Sequence, residues 1–397
     1  MSCSRLVVAM LLSAGFAICA DYWPPPDVKG GWRSARSAAD VRKLGINRAK
    51  LDAAFRYVQG TTKHGGLLVA RRGWLVYEGY FGRGNREATP NSASVGKSFT
   101  SIAAGILIGE RPDLFPEGLD QRVYTPRYLP PAAFPLDDPR KETIRLGELL
   151  AMTAGIRGNN PARKKRTPVM LDPPGPDGWP AMTDRVAFKV PLWCEPGEGY
   201  SYATASVHIV SAMIRHVTGR ELQDYIGERI AQPLGWGRWG YGYRRPEVDH
   251  TPGGGGIALR PTDMLRFAYL LLREGKWNGQ QIVPRDYVRQ CGRRSPYNPH
   301  SPYSLQFDIN ADGDLAGAPR DAFWKTGSGG HCIYVVPSLQ LVIFKLGGRD
   351  EQYSESNTGL KPPYEYDGSR EGWKAAEPDA NVAARRTLEM VLDAVIK

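Results

Sequence analysis

The sequence contains little cysteine and little histidine, which narrows the chemistry available to the chain. Its 397 residues include 5 cysteines and 6 histidines. Cys194, Cys291 and Cys332 follow the first twenty residues; an odd number cannot form a complete disulfide framework, and their spacing matches no metal-ligand pattern. We therefore expect buried thiols, with one disulfide among the three as the alternative, and neither a metal nor a cofactor.

Long apolar runs are also scarce, and the main one lies at the N-terminus. Residues 6–20 form an apolar run behind Arg5, and the small Ala20 precedes Asp21, a pattern typical of a secretory signal peptide. The run is shorter than the ~20 residues that a membrane-spanning helix needs. We therefore predict a signal peptide at residues 1–20, removed near Ala20, and a secreted or periplasmic chain without a stable membrane anchor.

Acidic residues are outnumbered, since 52 lysines and arginines face 41 aspartates and glutamates and give a net charge of +11. This balance favours anionic surfaces or acidic substrates. We expect no nucleic-acid partner, because the chain is predicted to be exported and has no recognition motif. The basic run Arg163–Arg166 lies in a Pro- and Gly-rich stretch and predicts an exposed loop. Nothing in the sequence sets the oligomeric state.

Helix and strand patterns occupy both ends of the chain. After Asn47, a good helix-capping residue, apolar residues recur at helical spacing to about Gln59. Two β-rich runs meet at Arg72-Gly73 and predict a hairpin. A closing helix is predicted from Ala380 to Ile396, with Asp379 as its cap.

The middle of the chain has a different texture, with short helical pieces between long loops rich in Pro, Gly and Trp. Helices and strands at both ends around a helical middle predict an α/β (α+β) domain interrupted by an insertion. We assign residues 47–115 and 250–397 to the α/β domain, 116–249 to a mainly helical inserted domain and 21–46 to an N-terminal arm.

Ser94 and Lys97 are three residues apart where a helix is predicted to begin. A serine hydroxyl becomes a nucleophile when a base takes its proton, and a lysine can be that base if burial lowers its pKa. A spacing of three places both side chains on one helix face. The alternative is a helix-capping serine beside a solvated lysine.

Tyr202 and Thr204 follow a Pro-Gly turn and precede another predicted helix. A phenol held beside a lysine can act as general base and then as general acid. The alternative is an ordinary core or surface tyrosine.

A third motif, Lys325-Thr326-Gly327, is followed by Ser328, Gly329 and Gly330 and leads into an apolar strand. Small residues at a strand edge let a substrate approach the backbone, whose N–H groups can face a developing oxyanion, and the lysine adds positive potential. A plain turn is the alternative. His331 could line the cleft or simply pack.

In this order the three motifs, Ser-x-x-Lys, Tyr-x-Thr and Lys-Thr-Gly, resemble the active-site motifs of serine β-lactamases and penicillin-binding proteins. The neighbouring runs "LLVARRGWLVYEGYFG" and "GGGGIALRPTDMLRFAYLLL" resemble the class C-like branch, which also holds esterases, D-amino-acid peptidases and 6-aminohexanoate-oligomer hydrolases. The resemblance covers roughly residues 47–348. It implies a β-lactamase/transpeptidase-like fold, an antiparallel sheet flanked by helices with an inserted helical domain.

The resemblance also implies a role for each motif residue. Ser94 would form an acyl-enzyme, Lys97 and Tyr202 would handle protons, and the backbone N–H groups of Ser94 and Ser328 would form the oxyanion hole. Lys325 would support Tyr202 or hold a substrate carboxylate. The remaining residues expected to contact substrate are Thr204, Thr326, Gly327, Gly329 and His331.

Two departures from the family pattern bear on the substrate. Thr204 stands where β-lactamases of this branch usually carry Asn, so an amide donor is missing, and no Glu-x-x-Leu-Asn segment is present. We expect a small ester, amide or peptide-like substrate. A β-lactamase or D,D-peptidase is the first alternative, and a sensor that is acylated without turnover is the second.

Other interpretations of single stretches compete with this one. "GYSYA" around Ser201 nearly matches the nucleophile elbow of Ser-His-Asp hydrolases but has Ala203 in place of the last glycine. The glycine run 253–256 lacks the residues of a phosphate loop. The long connection 158–194 predicts a flap beside the cleft. Four tryptophans could wall an acyl pocket or belong to the core: Trp179, Trp193, Trp236 and Trp239.

Overall fold

The computed structural model describes residues 21–241, 250–354 and 380–396. The predicted signal peptide and the predicted cap Asp379 lie outside the described residues. The described strands are β1 Gly65–Arg71, β2 Trp74–Phe81, β3 Ala162–Lys164, β4 Thr167–Val169, β5 Trp239–Tyr241, β6 Ile257–Leu259, β7 Lys276–Trp277, β8 Gln280–Gln281, β9 Tyr303–Ser304, β10 Phe307–Ile309, β11 Phe323–Gly327, β12 His331–Val336 and β13 Leu341–Leu346.

The described helices surround these strands. They are α1 Ala38–Lys43, α2 Arg48–Gln59, α3 Gly96–Glu110, α4 Leu146–Ala151, α5 Asp184–Ala187, α6 Thr204–Thr218, α7 Leu222–Ile226, α8 Gln232–Leu234, α9 Pro261–Leu272, α10 Arg285–Cys291 and α11 Ala380–Asp393. A π-helical turn at Gly227–Ala231 joins α7 to α8, and several single 3₁₀ turns lie in the loops.

Seven strands form one antiparallel sheet in the order β2-β1-β13-β12-β11-β10-β9. Its central strands are apolar on both faces because both faces are covered. Leu68, Ile333 and Phe344 belong to the core shared with α3, α6 and α9, whereas Leu67 and Ile343 face α2 and α11. Each fully buried side chain of this kind contributes about 1.5–3 kcal/mol.

The helix and hairpin predicted near the N-terminus are confirmed. The Asn47 side chain accepts a hydrogen bond from the backbone N–H of Lys50, and α2 follows directly. Strands β1 and β2 are joined by Arg72 and Gly73, both with positive φ. Two residues with positive φ give the turn whose twist suits a two-residue hairpin.

The middle segment contains short helices, as its texture predicts, and one hairpin that was not predicted. The basic run Arg163–Arg166, expected as an exposed loop, lies in the β3–β4 hairpin, and its side chains are exposed. Lys165 and Arg166 adopt positive φ at the turn. The expected exposure is therefore confirmed, but the strand pairing was not predicted, because Lys165 and Arg166 occupy turn positions that favour glycine or asparagine. The division into two domains stays a prediction.

The N-terminal arm packs on the body of the molecule. Trp32 is buried, and its indole N–H donates to the carbonyl of Thr262 in α9. Asp27 pairs with the fully buried Arg266 of the same helix. The closing helix α11 ends at Asp393, three residues earlier than predicted.

The three cysteines that follow the predicted signal peptide are buried free thiols, so the main expectation for them is confirmed. Burial raises the pKa of the Cys194 thiol to about 12. Within the described ranges, no helix is long and apolar enough to cross a membrane. Nor is any group of three histidine, cysteine or acidic side chains placed to hold a metal ion in that part of the chain.

Candidate active site

Ser94 and Lys97 lie side by side at the start of α3. Ser94 is in the 3₁₀ turn Ala93–Val95, two residues before the first residue of the helix rather than within it. Lys97 is 1% exposed, and its Nζ donates to Ser94 Oγ at 3.0 Å. The contact expected from their spacing is therefore present.

The glycine run 253–256 contacts Lys97 through Gly254. Lys97 Nζ donates to the carbonyl of Gly254 at 2.5 Å. A Cβ on Gly96 would meet Gly255 at 2.9 Å, so the approach depends on glycine at both positions. Burial, together with the charge of Lys325, lowers the pKa of Lys97 even though Tyr202 opposes the shift. The run thus has a role at the site that its sequence did not reveal.

Tyr202 lies beside both lysines of the site. Its hydroxyl accepts a hydrogen bond from Lys325 Nζ at 3.1 Å. Burial opposes ionisation of the phenol, but the positive charges of Lys325 and Lys97 outweigh it and lower the pKa of Tyr202. The phenol is thereby suited to exchange protons at the serine.

Tyr303 is a second phenol at Lys325 that the sequence did not indicate. Lys325 Nζ donates to the Tyr303 hydroxyl at 2.7 Å, and that hydroxyl donates to Gln306 Oε1 at 2.8 Å. Burial keeps the pKa of Tyr303 well above its ordinary value. Tyr303 therefore stays neutral, and Tyr202 is the more readily ionised of the two phenols. The pairing of β9 to β10 and β10 to β11 brings Tyr303 here, and no local motif marks it.

The predicted oxyanion-hole residues lie on two segments that are linked by Gln352. Ser328 is in the turn between β11 and β12, beside Gly329 and Gly330, both with positive φ. The Gln352 side-chain amide donates to the carbonyls of Asn91, at 2.7 Å, and Ser328, at 3.1 Å. The Asn91 N–H in turn donates to the Gln352 carbonyl at 2.9 Å. Sequence analysis did not find Gln352, which lies outside all three motifs.

Thr326 and His331 are placed differently from Lys325. The hydroxyl of Thr326 donates to Asn381 Oδ1 in α11 at 3.2 Å, so its part in substrate binding stays a prediction. His331 is 1% exposed, and its Nδ1 accepts from the Gly347 N–H. Burial lowers the pKa of His331 to about 3, so the ring is neutral. This burial supports the packing interpretation of His331 and does not support the expected contact with substrate.

Gly327 and Gly329 are close to other backbone segments. A Cβ on Gly327 would meet the carbonyl of Ser92 at 2.2 Å, and one on Gly329 would meet the Gln352 side chain at 2.0 Å. Both glycines are therefore required by packing, whatever their part in substrate binding.

The hydroxyl of Thr204 is hydrogen-bonded to an acidic side chain. It donates to Asp177 Oδ1 at 2.9 Å, and Asn159 Nδ2 donates to Asp177 Oδ2 at 2.6 Å. Asp177 lies in the predicted flap, 158–194, and is exposed. Its position could not be predicted, because it depends on how the flap folds back on α6.

The structure shows packing roles for Ser201 and for three of the four tryptophans. Ser201 is buried, and its Oγ accepts from the Gly158 N–H at 2.9 Å, which is a packing role. Trp236 packs edge-on against Phe99, with ring centroids 5.7 Å apart, and against Trp239. Trp179, Trp236 and Trp239 are partly buried against the main core, which favours the core interpretation for these three.

Comparison with known proteins addresses the fold and the family. A family model described as Beta-lactamase matches residues 51–358. A candidate beta-lactamase from Bacteroides dorei DSM 17855 has a similar structure, with 16% identity, a TM-score of 0.62 and coverage of 88% of this chain and 99% of that one. None of the curated proteins matches the chain.

Two further solved structures are similar. EstCE1, named as a hydrolase with promiscuous acyltransferase activity, has 18% identity and a TM-score of 0.62, with 91% of this chain and 100% of that one covered. A candidate 6-aminohexanoate-dimer hydrolase from Bacillus anthracis has 19% identity and a TM-score of 0.57, with 82% and 84% covered. Likeness at these identities concerns the fold, and it confirms the predicted antiparallel sheet with flanking helices.

Proposed function

The chain belongs to the beta-lactamase family of serine hydrolases, and from this premise we propose that it cleaves small esters or amides through an acyl-enzyme on Ser94. The observation that carries the proposal is the buried Lys97 Nζ, 3.0 Å from the Ser94 hydroxyl. Burial lowers the pKa of this amine, so a neutral base is accessible beside the nucleophile.

In acylation, Ser94 Oγ forms a bond to the substrate carbonyl carbon and gives up its proton to the Lys97–Tyr202 pair. The bond from that carbon to the leaving oxygen or nitrogen then breaks, and the leaving group takes the proton from the pair. Each member of the pair shifts the pKa of the other, since Tyr202 raises that of Lys97 and Lys97 lowers that of Tyr202. In deacylation, water gives a proton to the pair as its oxygen bonds to the acyl carbon. The bond between that carbon and Ser94 Oγ then breaks, and Oγ takes the proton back from the pair.

The negative charge that develops on the carbonyl oxygen needs hydrogen-bond donors. The backbone N–H groups of Ser94 and Ser328 are the proposed pair, and Gln352 holds their two segments together. Removing one such donor typically costs about 10²–10³ in kcat. Lys325 adds a positive charge beside Tyr202 without touching Ser94 directly.

Two observations favour an ester or amide over a β-lactam. The Thr204 hydroxyl is donated to Asp177, so this position offers no free donor to a β-lactam side-chain amide. Two proteins that share the fold are named as a hydrolase with promiscuous acyltransferase activity and as a candidate 6-aminohexanoate-dimer hydrolase, and neither name mentions a β-lactam. A β-lactamase or D,D-peptidase is the second candidate, supported by the complete Lys325-Thr326-Gly327 motif. We also propose that the chain is exported after removal of residues 1–20.

The test is multiple-turnover hydrolysis by the protein beginning at Asp21, with 4-nitrophenyl butyrate and a chromogenic cephalosporin assayed side by side. Ser94→Ala should abolish ester turnover. Ser98→Ala is the matched control, because Ser98 lies one turn further along α3 and donates to the Val95 carbonyl. Mass spectrometry after rapid quenching should show a butyryl adduct on the wild type that Ser94→Ala lacks.

Each of the other possible results contradicts the nucleophile or supports an alternative function. Ester turnover that survives in Ser94→Ala contradicts the nucleophile. Faster cephalosporin than ester turnover makes the chain a β-lactamase. One adduct per molecule without further turnover supports the sensor alternative.

A further inference from the structure

Asp177 is an exposed carboxylate whose two oxygens are both held in place. Thr204 Oγ1 donates to Oδ1 at 2.9 Å, and Asn159 Nδ2 donates to Oδ2 at 2.6 Å. The surrounding flap is rich in Pro and Gly, with Asp177 in the run "DPPGPDGW". A carboxylate offers about four lone-pair sites, so these two bonds leave acceptor capacity facing solvent.

Asp177 is also close to the catalytic groups. Thr204 is the first residue of α6 and follows Tyr202 by two positions. A Cβ on Gly254 would meet Thr204 Cγ2 at 2.5 Å, and the Gly254 carbonyl accepts from Lys97. The carboxylate is thus separated from Lys97 by Thr204 and one glycine. Its negative charge acts on Lys97 across this short distance, where it raises the pKa of the amine against the larger effect of burial.

The hydrogen-bond partners of Asp177 do not neutralise its charge. Both are neutral groups, a hydroxyl and an amide. Across the described ranges, no arginine, lysine or histidine forms an ion pair with this carboxylate, although several exposed carboxylates of the molecule have such a partner. A cationic group of a substrate would find an oriented and unpaired acceptor here.

Thr204 changes the polarity of this position. Its hydroxyl proton is donated to Asp177, so the pair presents an exposed acceptor rather than a donor. An acceptor with a negative charge recognises a donor with a positive charge best, and charge-assisted hydrogen bonds are roughly twice as strong as neutral ones. We propose that Asp177, held by Thr204 and Asn159, forms a subsite that binds a protonated amine of the substrate acylating Ser94. This subsite rests on the function proposed above.

The test uses two pairs of esters in which an ammonium group replaces a methyl group of the same size. 4-Nitrophenyl 4-(aminomethyl)benzoate and 4-nitrophenyl 4-ethylbenzoate place the difference on the acyl side. 4-(Aminomethyl)phenyl acetate and 4-ethylphenyl acetate place it on the leaving-group side. The measured quantity is the ratio of kcat/KM, ammonium over ethyl, within each pair.

We expect the wild type to prefer the ammonium ester of at least one pair by about tenfold, which corresponds to about 1.4 kcal/mol. Asp177→Asn should bring that ratio close to one, and Thr204→Val should lower it part of the way by releasing Asp177. Asp172→Asn is the matched control, an exposed aspartate of the same flap, and should leave the ratio unchanged. In the wild type the preference should also fall with added salt, because salt screens an exposed charge.

Two results overturn the subsite. One is a wild-type ratio at or below one in both pairs. The other is an Asp177→Asn variant that keeps the wild-type ratio while the acid limb of its pH–rate profile moves to lower pH for both esters, because Asp177 then only raises the pKa of Lys97. If Ser94→Ala still cleaves the ethyl esters, the proposed function itself fails, so the two failures are distinguishable.

Discussion

Lys325 acts on both groups that exchange protons at Ser94. Its Nζ donates to the hydroxyls of Tyr202 and Tyr303, and it is 1% exposed. Its positive charge lowers the pKa of Tyr202 and, more weakly than burial does, that of Lys97. One buried charge therefore shifts both pKa values in the same direction.

Replacing Lys325 by Met should move the acid limb of the kcat/KM profile to higher pH and lower the rate at neutral pH. The sign follows because loss of the positive charge raises the pKa of Tyr202 and of Lys97, so the pair holds its proton to higher pH. The measurement is kcat/KM for ester hydrolysis between about pH 5 and pH 10. General acid–base catalysis typically contributes about 10²–10⁴-fold to the rate, which bounds the loss expected at neutral pH.

Lys325→Arg is the control for this prediction, because it keeps the charge. Its acid limb should lie near that of the wild type even if its rate is lower, since the wider guanidinium fits the two phenols less well. An acid limb in Lys325→Met that stays at the wild-type pH would show that the charge of Lys325 does not set the protonation of the pair.

Sequence patterns could identify catalytic side chains that contact each other because they are close in the chain. Ser94 and Lys97 are three residues apart, so one helical turn brings them together. Tyr303 and Asp177 reach the site through strand pairing and flap folding, and a pattern of neighbours in the chain contains no such information. His331 looked like a cleft residue because it follows the glycines, yet its ring is buried.

Two loops carry the proposed oxyanion donors, and the turn that contains Gln352 fixes the distance between them. Asn91 precedes the turn of Ser94, and Ser328 follows β11. The Gln352 amide donates to a carbonyl in each loop. A preorganised pair of donors stabilises charge without reorganisation during the reaction.

Gln352→Leu should lower kcat by about tenfold, less than the ~10²–10³ of losing a donor outright, because the loops lose their link while both N–H groups remain. KM should change little. Binding of a boronic acid that forms a tetrahedral adduct with Ser94 should weaken in parallel with kcat, which a loss of stability alone would not produce.

Gln281→Leu provides the control, because Gln281 also donates to two carbonyls, those of Glu274 and Val283, in a hairpin that holds no active-site residue. It should change stability without changing kcat or boronate affinity. Equal effects of the two variants on boronate affinity would contradict a positioning role for Gln352.

The sequence predicted helices and strands correctly where apolar periodicity, capping residues and turn residues indicated them. Helix α2 begins after Asn47 as predicted, and the β1–β2 hairpin turns at Arg72-Gly73. Prediction failed where the backbone departs from the usual residue preferences. Lys165 turns the β3–β4 hairpin at positive φ, and Ala93, also at positive φ, places Ser94 in a 3₁₀ turn before α3.

The sheet pairs a strand from the N-terminal part of the chain with a strand from the C-terminal part. The N-terminal arm packs against α9. Strand β1 pairs with β13, so Val69 lies opposite Ile343. Such pairing over a long separation depends on the whole chain, and the strand order could not be derived from single runs. The predicted strands were correct, but their order came from the structure.

The arm is tied to α9 by a buried ionic network. Arg266 is fully buried and pairs with Asp27 at 2.6 Å and with Asp263 at 2.6 Å, and Thr262 Oγ1 donates to Asp27 at 2.9 Å. Burial raises the pKa of Asp27, but Arg266 outweighs it and holds the value below its ordinary range. Removing Asp27 would leave the buried Arg266 paired with Asp263, a carboxylate that it shares with Arg260.

Asp27→Asn should lower the free energy of unfolding by about 1.5–3 kcal/mol near neutral pH, the range for hydrogen bonds to charged groups. Because the folded-state pKa of Asp27 is depressed, its contribution is present above the unfolded-state pKa and is lost as pH falls through the folded-state value. The gap between wild type and variant in urea unfolding should therefore narrow as pH falls below about 4. Asp40→Asn, on an exposed part of the arm, should show no comparable gap. A gap that is absent near neutral pH, or constant down to pH 3, would mean that the Asp27–Arg266 pair does not hold the arm in place.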